Sequence, residues 1–348
     1  MRSLSLLIPG LFDALPAPPV PAPQTPVLLT LLARANQQCA AARDSDELLL
    51  HLFGCTPAHD TDVPVAALGR LGEGDVGVVN AYWLRADPVH LRADQARLLL
   101  FGPALLSVQM DEAGALAAAF NALYSADGWR LETPHPQRWY LRLPDDPGIR
   151  TQALHAVIGR NIDTFLPLGT NGKRWHGVLN EVQMLFHGNP VNAAREERGQ
   201  LAINSVWLWG GGCLPAIKPS SWTQVSSTET CARGLAIAAG VALATRDEII
   251  AAWTKSRAAA EQLVVLSEPQ VAASYGDAEG WCAALLSLER DWFAPALAAL
   301  QSGRLDRLRL YPGNNSVYEV TRAGLRRFWR RRRAFESYFA LPSGIMRT

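Results

Sequence analysis

The sequence has no long apolar run, no Cys-x-x-Cys pair and no large excess of charge of either sign. A membrane-spanning helix needs about 18 or more consecutive apolar residues, so the first absence excludes one. The five cysteines are scattered, which suits reduced thiols and predicts a cytoplasmic protein rather than a disulfide framework. The formal net charge of +1 argues against bulk electrostatic capture of nucleic acid, so any basic surface must be local.

The chain is rich in apolar residues and can bury a large core. It has 348 residues, of which 49% are hydrophobic and 19% charged. The apolar run Leu4–Ile8 is too short for a signal peptide and stops at Pro9-Gly10, so it is interpreted as a buried first strand. Residues 25–38 and 45–53 favour helices. The length of the chain allows two domains or one large α/β core with an insertion.

Strands and helices follow in two different textures. From about residue 75 to 145 the pattern indicates a compact α+β unit of strands, one helix and a hairpin. From residue 203 onward, strand and helix patterns alternate with short connections, which is typical of a mostly parallel sheet.

Between the two lies a stretch of unusual composition, HGNPVNAAREERG followed by INSVWLWGGG. Asn189 is predicted to cap a helix with Pro190 at its first position, and Gly199 to end that helix in a left-handed conformation. The next stretch is predicted to be a strand, with Val206 and Leu208 on one face and Trp207 and Trp209 on the other. Both faces are bulky, which favours a core strand covered on both sides.

This stretch, residues 187–215, resembles a segment of archaeal-type cofactor-independent phosphoglycerate mutases, in which a His-Pro-x-Asn-x-x-Arg helix precedes an Asn-x-Trp-x-Trp-Gly strand. It is similar also to the RpfE-type regulatory proteins of proteobacteria. The resemblance implies an alkaline phosphatase-like α/β fold: a mostly parallel sheet flanked by helices, with an inserted α+β domain. Residues 1–65 would form the first part of the core, 66–198 the inserted domain, and 199–348 the returning part with a basic C-terminal helix.

The same resemblance implies two divalent metals around a serine nucleophile, because a serine hydroxyl needs a metal to stabilise its alkoxide. The chain departs from that pattern. Pro9-Gly10 replaces the family's metal-binding Asp-Gly, and YPGNNSVYEV replaces its C-terminal Asp-His-x-Thr-Pro. The seven histidines all lie in the first 187 residues. We therefore expect the catalytic machinery to be lost, with no catalytic residue, metal or cofactor.

The polar residues of the stretch are candidates for binding a small phosphorylated or carboxylate ligand. Asn192 and Arg195 lie three residues apart on one helix face, where an amide and a guanidinium suit an anion. The alternative is that these residues fasten the helix to the strand by hydrogen bonds. The candidates are Asn189, Asn192, Arg195, Arg198 and Asn204.

Other features of the sequence have structural interpretations beside functional ones. Trp207 and Trp209 favour core anchors over a stacking platform. The glycine triplet 210–212 is a turn or a set of amides for an anion. His187 favours a helix-capping role over acid–base chemistry. The cluster of His51, Cys55, His59 and Asp60 matches no standard zinc spacing.

The C-terminal region carries seven arginines between residues 322 and 333. Leu325, Phe328, Trp329, Phe335 and Phe339 fall near one helical stripe, which predicts a terminal helix docked on the core with a solvated basic face. An acidic protein or nucleic acid could also bind there, through Arg330, Arg331, Arg332 and Arg333.

Three hypotheses remain open from the sequence. The first is a non-catalytic phosphoglycerate mutase-like protein with a regulatory or partner-binding role. The second is an active phosphotransfer enzyme that uses carboxylates such as Glu268, Asp277 and Asp291. The third is a nucleic-acid-binding regulator acting through the arginine-rich tail.

Overall fold

The computed structural model describes residues 1–339 except 13–14, 16–18, 41, 43, 59, 76, 96, 256–258 and 328. The chain forms two compact units, Met1–Thr56 with Ile217–Thr348 and Pro57–Ala216. In the described part of the chain no helix is long and apolar enough to cross a membrane.

The described residues form twelve strands and twelve α-helices. The strands are β1 (Arg2–Leu7), β2 (Asn36–Cys39), β3 (Tyr82–Asp94), β4 (Arg97–Phe101), β5 (Arg130–His135), β6 (Arg138–Leu143), β7 (Ser205–Gly212), β8 (Gln224–Ser227), β9 (Ala242–Leu243), β10 (Ala260–Val265), β11 (Arg307–Tyr311) and β12 (Ser316–Thr321). The helices are α1 (Pro26–Arg34), α2 (Ser45–Leu52), α3 (Val65–Gly72), α4 (Met110–Tyr124), α5 (Gly172–His187), α6 (Pro190–Glu197), α7 (Thr230–Ala238), α8 (Arg246–Lys255), α9 (Glu268–Ser274), α10 (Ala278–Leu288), α11 (Ala294–Ser302) and α12 (Arg322–Leu325).

The first unit is built on a seven-stranded mixed sheet in the order β2-β12-β11-β1-β10-β8-β9. Strands β11, β1, β10, β8 and β9 are parallel, while β12 runs antiparallel to β11 and β2 antiparallel to β12. Leu4 and Leu6 of β1 are fully buried against side chains of α1, α10 and α11. The Leu4–Ile8 run is thus the buried strand that the sequence predicts, and helices cover the sheet.

The second unit is built on a five-stranded antiparallel sheet. Strand β3 pairs with β6 and β4 along one edge and with β7 along the other, and β5 pairs with β6. Helices α3 and α5 both contact β7. The two faces of β7 are buried in different hydrophobic clusters. Val206 and Leu208 lie in one cluster and Trp207 in the other.

The sequence placed β7 in the returning part of the α/β core, and that placement is wrong. The alternation of its faces was predicted correctly, but the strand that pairs with it is β3 of the second unit. A strand covered on both faces fits a parallel core sheet and an antiparallel one equally well, so the pattern did not identify the sheet. The second unit begins at Pro57 and ends at Ala216, which differs from the predicted boundaries at 65/66 and 198/199.

The C-terminal region is not the predicted single helix. Helix α12 ends at Leu325, residues 331–334 are non-helical, and a short 3-10 turn covers Phe335–Tyr338. Four adjacent arginines repel one another, which disfavours a helix through them. Phe335 is buried and Phe339 packs on the core as expected, whereas Trp329 is exposed. Phe328 lies outside the described residues.

Candidate functional site

The carboxyl ends of the parallel strands in the first unit meet at one edge of the sheet. Strands β8, β10, β1 and β11 end there, and this edge is where open α/β sheets bind ligands. We call it the carboxyl edge. The family resemblance implies metal-binding residues after these strands, so a catalytic site of that family would lie at this edge.

The turn after β1 closes against the start of α9. Gly10 has a positive φ of 81°, and a Cβ built on it would lie 2.4 Å from both the Cα and the backbone nitrogen of Gln270. Its carbonyl oxygen accepts a hydrogen bond of 2.9 Å from Trp281 Nε1, and Trp281 is fully buried. Backbone therefore fills the space beside β1.

The residues just beyond Gly10 belong to an aromatic cluster. Phe12 is fully buried, and its ring lies 5.5–5.8 Å from the rings of Phe335, Tyr338 and Phe339. Its backbone nitrogen donates to Pro312 O at 3.1 Å, which ties the turn after β1 to the residue that follows β11. The chain after β1 is therefore packed as core.

A polar pair lies at the ends of β8 and β10. The buried Ser267 hydroxyl donates to Glu229, whose backbone nitrogen donates to Ser227 Oγ at 2.9 Å. The carboxylate of Glu229 thus contacts one serine hydroxyl, and its backbone contacts another. Across the residues that the structure describes, no group of three or more His, Cys, Asp and Glu side chains could hold a metal ion.

The three carboxylates that the sequence suggested for an active enzyme have contacts different from those of the Ser267–Glu229 pair. Glu268 is exposed at the start of α9, and Asp277 caps α10 by accepting from Gly280 N at 2.8 Å. Asp291 pairs with Arg290 at 2.8 Å and Arg246 at 3.4 Å. A dinuclear metal site needs several acidic and imidazole ligands around one point, and the residues at the carboxyl edge do not fit that demand.

The motif residues of the second unit fasten α6 to the chain around it. Asn192 is buried, and its amide nitrogen donates to Phe186 O at 2.8 Å and to Ile203 O at 2.9 Å. Its amide oxygen accepts from Ile203 N at 2.8 Å. One side chain thus joins the end of α5 to the segment that leads into β7.

Arg195 extends this fastening to α4. The side chain is fully buried, and its guanidinium donates to Glu112 Oε2 at 2.5 Å, to Leu201 O at 2.8 Å and to Leu106 O. Arg198, half exposed, donates to the other oxygen of Glu112 at 2.6 Å. Glu112 therefore neutralises two arginines, and the buried charge of Arg195 has its counterion within the chain.

The two remaining motif asparagines also have partners. Asn189 caps α6 by accepting from Val191 N at 3.0 Å, and Gly199 has the expected positive φ of 67°. Asn204 accepts from Leu91 N at 2.7 Å and donates to Leu91 O at 2.8 Å. The fastening alternative accounts for the contacts of all five motif residues. A ligand-binding role for them stays a prediction.

The two tryptophans of β7 donate their ring nitrogens inside the second unit. Trp207 donates to Gln152 O at 2.8 Å, and Trp209 donates to Asp87 Oδ2 at 2.7 Å. The buried Asp87 also accepts from Arg85 and from Trp139 N. Buried indole N–H groups with partners of this kind are structural anchors, in agreement with the core interpretation.

The glycine triplet forms a bulge where β7 passes α3. Gly210 and Gly211 together oppose Leu84 of β3, and a Cβ on Gly210 would lie 2.9 Å from Val65 Cβ. The amide of Gly211 does meet an anion, but that anion is the chain's own Asp62. The Asp62 carboxylate also accepts from the backbone nitrogen and the hydroxyl of Thr151.

The histidines add no cluster of imidazoles among the described residues. His187 is the exposed last residue of α5, the position of a helix-capping histidine. His51 lies 4.0 Å from Glu47, and burial raises the pKa of the Cys55 thiol, which disfavours a thiolate ligand. Asp60 pairs with Arg150 at 2.9 Å. His59 lies outside the described residues.

Three carboxylates that organise these contacts were not singled out from the sequence: Glu112, Asp87 and Asp62. Glu112 carries a recognisable signal, because Gln109 N donates to it at 3.0 Å in a capping box at the start of α4. Asp87 has one near partner in Arg85, but its other partners, Trp139 and Trp209, lie far away in the chain. Thr151, which donates to Asp62, is also distant, so neither carboxylate is marked by the local sequence.

Comparison with known proteins gives a distant relationship. No family model matches the chain. It is 24% identical over 210 residues to a 2,3-bisphosphoglycerate-independent phosphoglycerate mutase of Methanosarcina acetivorans, which covers 57% of this chain and 50% of that enzyme. A probable enzyme of the same name from Geobacter sulfurreducens is 25% identical over 211 residues, covering 57% and 51%. The chain spans about half the length of these two relatives.

The structural likeness covers more of the chain. The structure of the PH0037 protein from Pyrococcus horikoshii matches with a TM-score of 0.54 at 13% identity, over 92% of this chain and 87% of that one. The predicted fold class, an α/β fold with a mostly parallel sheet flanked by helices, is confirmed, and two antiparallel edge strands make the sheet mixed. The chain is thus similar, at low identity, to 2,3-bisphosphoglycerate-independent phosphoglycerate mutases.

Proposed function

We propose that this chain is a non-catalytic, phosphoglycerate mutase-like protein with a regulatory or partner-binding role, of the RpfE type. The observation that carries the proposal is the closure of the carboxyl edge. At the turn after β1, Gly10 packs backbone to backbone against Gln270, and Phe12 enters an aromatic cluster.

The chemistry of phosphoryl transfer, the reaction that the mutase resemblance implies, supports a non-catalytic role. Transfer of a phosphoryl group to a serine requires cations that stabilise both the alkoxide and the oxygens of the phosphoryl group. Position 9 is proline where the resemblance implies an aspartate, and position 10 has no room for any side chain. The Ser267–Glu229 pair has a hydroxyl and one carboxylate, which supply no second ligand set.

A ligand remains part of the proposal. A small phosphorylated or carboxylate molecule, or a protein partner, would be the signal on which a regulatory protein of this fold acts. No metal or cofactor is assigned to it. Since Asn192 and Arg195 are fully engaged within the chain, their substitution would first affect folding.

Metal content and turnover of the purified protein test the proposal. We expect far less than one equivalent of manganese or zinc by mass spectrometry, and no EDTA-sensitive interconversion of the phosphoglycerates or hydrolysis of an aryl phosphate. Near-stoichiometric metal together with EDTA-sensitive turnover would overturn it. Ser267→Ala then shows whether that turnover arises at the carboxyl edge, with the exposed Ser302→Ala as the matched control.

A further inference from the structure

A groove in the first unit is lined by arginines. It has a volume of about 690 Å³ and lies between the end of α1, the start of β2 and the chain before the C-terminal 3-10 turn. Four consecutive arginines, Arg330–Arg333, line it together with Asn36, Gln37, Tyr318 and Tyr338. We call it the arginine groove.

The backbone that carries these arginines is fixed at both ends. On one side, the Arg34 guanidinium donates to the carbonyl oxygens of Arg327 and Arg330, and Arg330 donates to Ala35 O at 2.6 Å. On the other side, Asn314 donates to Tyr338 O at 2.8 Å, and the Tyr338 ring stacks on Phe12. A chain anchored in this way presents its side chains at a low entropic cost of ordering.

Most of the positive charge in the groove has no ion-pair partner among the described residues. Arg331, Arg332 and Arg333 are exposed and have no ion pair within 4.0 Å among the residues the structure describes. Glu289 lies within electrostatic reach of Arg332. Its carboxylate already accepts from Val27 N at 2.5 Å and Leu28 N at 3.0 Å, at the start of α1.

The charge and size of the groove define its ligand. Each guanidinium is a planar fork of N–H donors that suits phosphate oxygens. A phosphate group carries about −1.5 to −2 charge at pH 7, so the four arginines that line the groove, with one positive charge each, match about two to three phosphate groups. The volume lies within the range of small-molecule sites, roughly 300–1,000 Å³.

We propose that the arginine groove binds a short chain of two or three phosphate groups, either free or as the phosphate chain of a nucleotide. The proposal goes beyond the non-catalytic role and does not depend on it, because it concerns neither the carboxyl edge nor turnover.

Calorimetric titration of the full chain with tripolyphosphate tests the proposal, at a fixed ionic strength of about 0.15 M so that unspecific attraction is screened. The triple variant Arg331→Ala, Arg332→Ala and Arg333→Ala should bind about tenfold or more weakly, since it loses charge-assisted hydrogen bonds. A control variant removes the same charge at exposed arginines elsewhere, Arg130→Ala, Arg160→Ala and Arg304→Ala. It should bind within about twofold of the unmodified chain, because screened distant charges contribute little.

Further titrations distinguish a free phosphate chain from a nucleotide as the ligand, and a lost binding contact from a folding defect. Replacing the same three arginines with lysine keeps the charge but removes the fork, so binding should fall between the unmodified chain and the alanine variant. ATP should bind as tripolyphosphate does if the phosphate chain alone is recognised, and tighter if a nucleotide is the ligand. Inorganic phosphate should bind more weakly than either.

Three results would overturn the proposal. One is the absence of tripolyphosphate binding to the unmodified chain at millimolar concentration. Another is an equal loss of affinity in the groove and control variants. The third is tight binding of a single-stranded oligonucleotide that tripolyphosphate does not displace, which would assign the arginines to nucleic acid instead. None of these results bears on turnover at the carboxyl edge, so the two proposals can fail separately.

Discussion

The carboxyl edge of the first unit and the motif of the second unit differ in their polar side chains. At the carboxyl edge, the turn after β1 is proline, glycine and buried aromatic ring. In the motif, Asn192 and Arg195 are buried, and each makes several hydrogen bonds. The resemblance implies a catalytic site at the carboxyl edge of the first unit, while the residues that carry the resemblance lie in the second unit.

This difference shows what the match between the motif and the phosphoglycerate mutases indicates. Each polar group of Asn192 and Arg195 satisfies a buried backbone or carboxylate group, so the residues are needed to hold α6 in place whatever the protein does. A match in such a motif therefore indicates a shared fold as readily as a shared activity. Separate variants of each place can show whether this division is right.

The largest expected effect comes from Arg195→Ala. It leaves the Glu112 carboxylate without its buried partner and Leu106 O and Leu201 O without a donor. Breaking a buried pair by removing one partner costs about 3–5 kcal/mol, so we expect the free energy of unfolding to fall by that amount. Chemical denaturation followed by tryptophan fluorescence measures it.

Arg198→Ala is the matched control, because Arg198 bonds the same carboxylate from a half-exposed position. Its loss should cost no more than about 1 kcal/mol. If Arg195→Ala proved as stable as Arg198→Ala, the fastening role would be wrong, and Arg195 would return as a ligand-binding candidate.

Gly10→Ala tests the closure of the carboxyl edge. The new methyl group would overlap backbone atoms of Gln270 at 2.4 Å in a left-handed conformation. Strain from φ and from overpacking together suggests a loss of about 3 kcal/mol. Gly276→Ala has a similar φ of 68° and open space around it, so it should cost only about 1 kcal/mol. Equal losses would mean that the edge is open enough for a side chain.

Asn192→Ala should have a somewhat smaller effect than Arg195→Ala, because no charge is stranded. It leaves Ile203 N and Ile203 O unpaired in the interior, which predicts a loss of about 2 kcal/mol. Phe186 O keeps the hydrogen bond from Asn189 N. Asn204→Ala removes two bonds at a partly exposed site and should cost about 1 kcal/mol. A thermal melt of both variants at one pH decides between this order and the reverse.

The sequence predicts local structure well where the signal is local. Asn189, Pro190 and Gly199 define the ends of α6, because capping residues act on their own helix. The run Leu4–Ile8 is predicted as a buried strand, because a run of apolar residues is stable only in a core. The pairing of strands could not be predicted in this way, because it depends on residues distant in the sequence. The polar β2 was predicted as helix, and only its partner β12 makes it a strand.

The site follows the same division. That the motif residues form a helix face could be predicted, but their partner Glu112 lies 83 residues from Arg195. The sequence could show that Pro9-Gly10 stands after β1 where the resemblance implies Asp-Gly. It could not show that Gln270 and Phe335 fill the space, because those contacts depend on the tertiary packing of α9 and the C-terminal turn.

The smallest predicted effect concerns the anion that meets the Gly211 amide. Burial raises the pKa of the Asp62 carboxyl, and hydrogen bonds from Thr151 and Gly211 with the charge of Arg150 offset part of the rise. A raised pKa means that the folded state holds the proton more tightly than the unfolded state. Stability must therefore fall as pH rises from the unfolded to the folded pKa of this group.

Asp62→Asn removes this titration while keeping the shape. Compared with the unmodified chain, the variant should therefore lose relative stability as pH is lowered from neutral to below the ordinary carboxyl pKa, where protonation relieves the unmodified chain of its buried charge. Asp60→Asn, at an exposed carboxylate beside the same Arg150, is the matched control for the loss of one negative charge. Unfolding free energies of all three proteins across this pH range measure it. A trend in the opposite direction would mean that the hydrogen bonds from Thr151 and Gly211 outweigh burial, so that the glycine bulge stabilises an anion strongly enough to hold one.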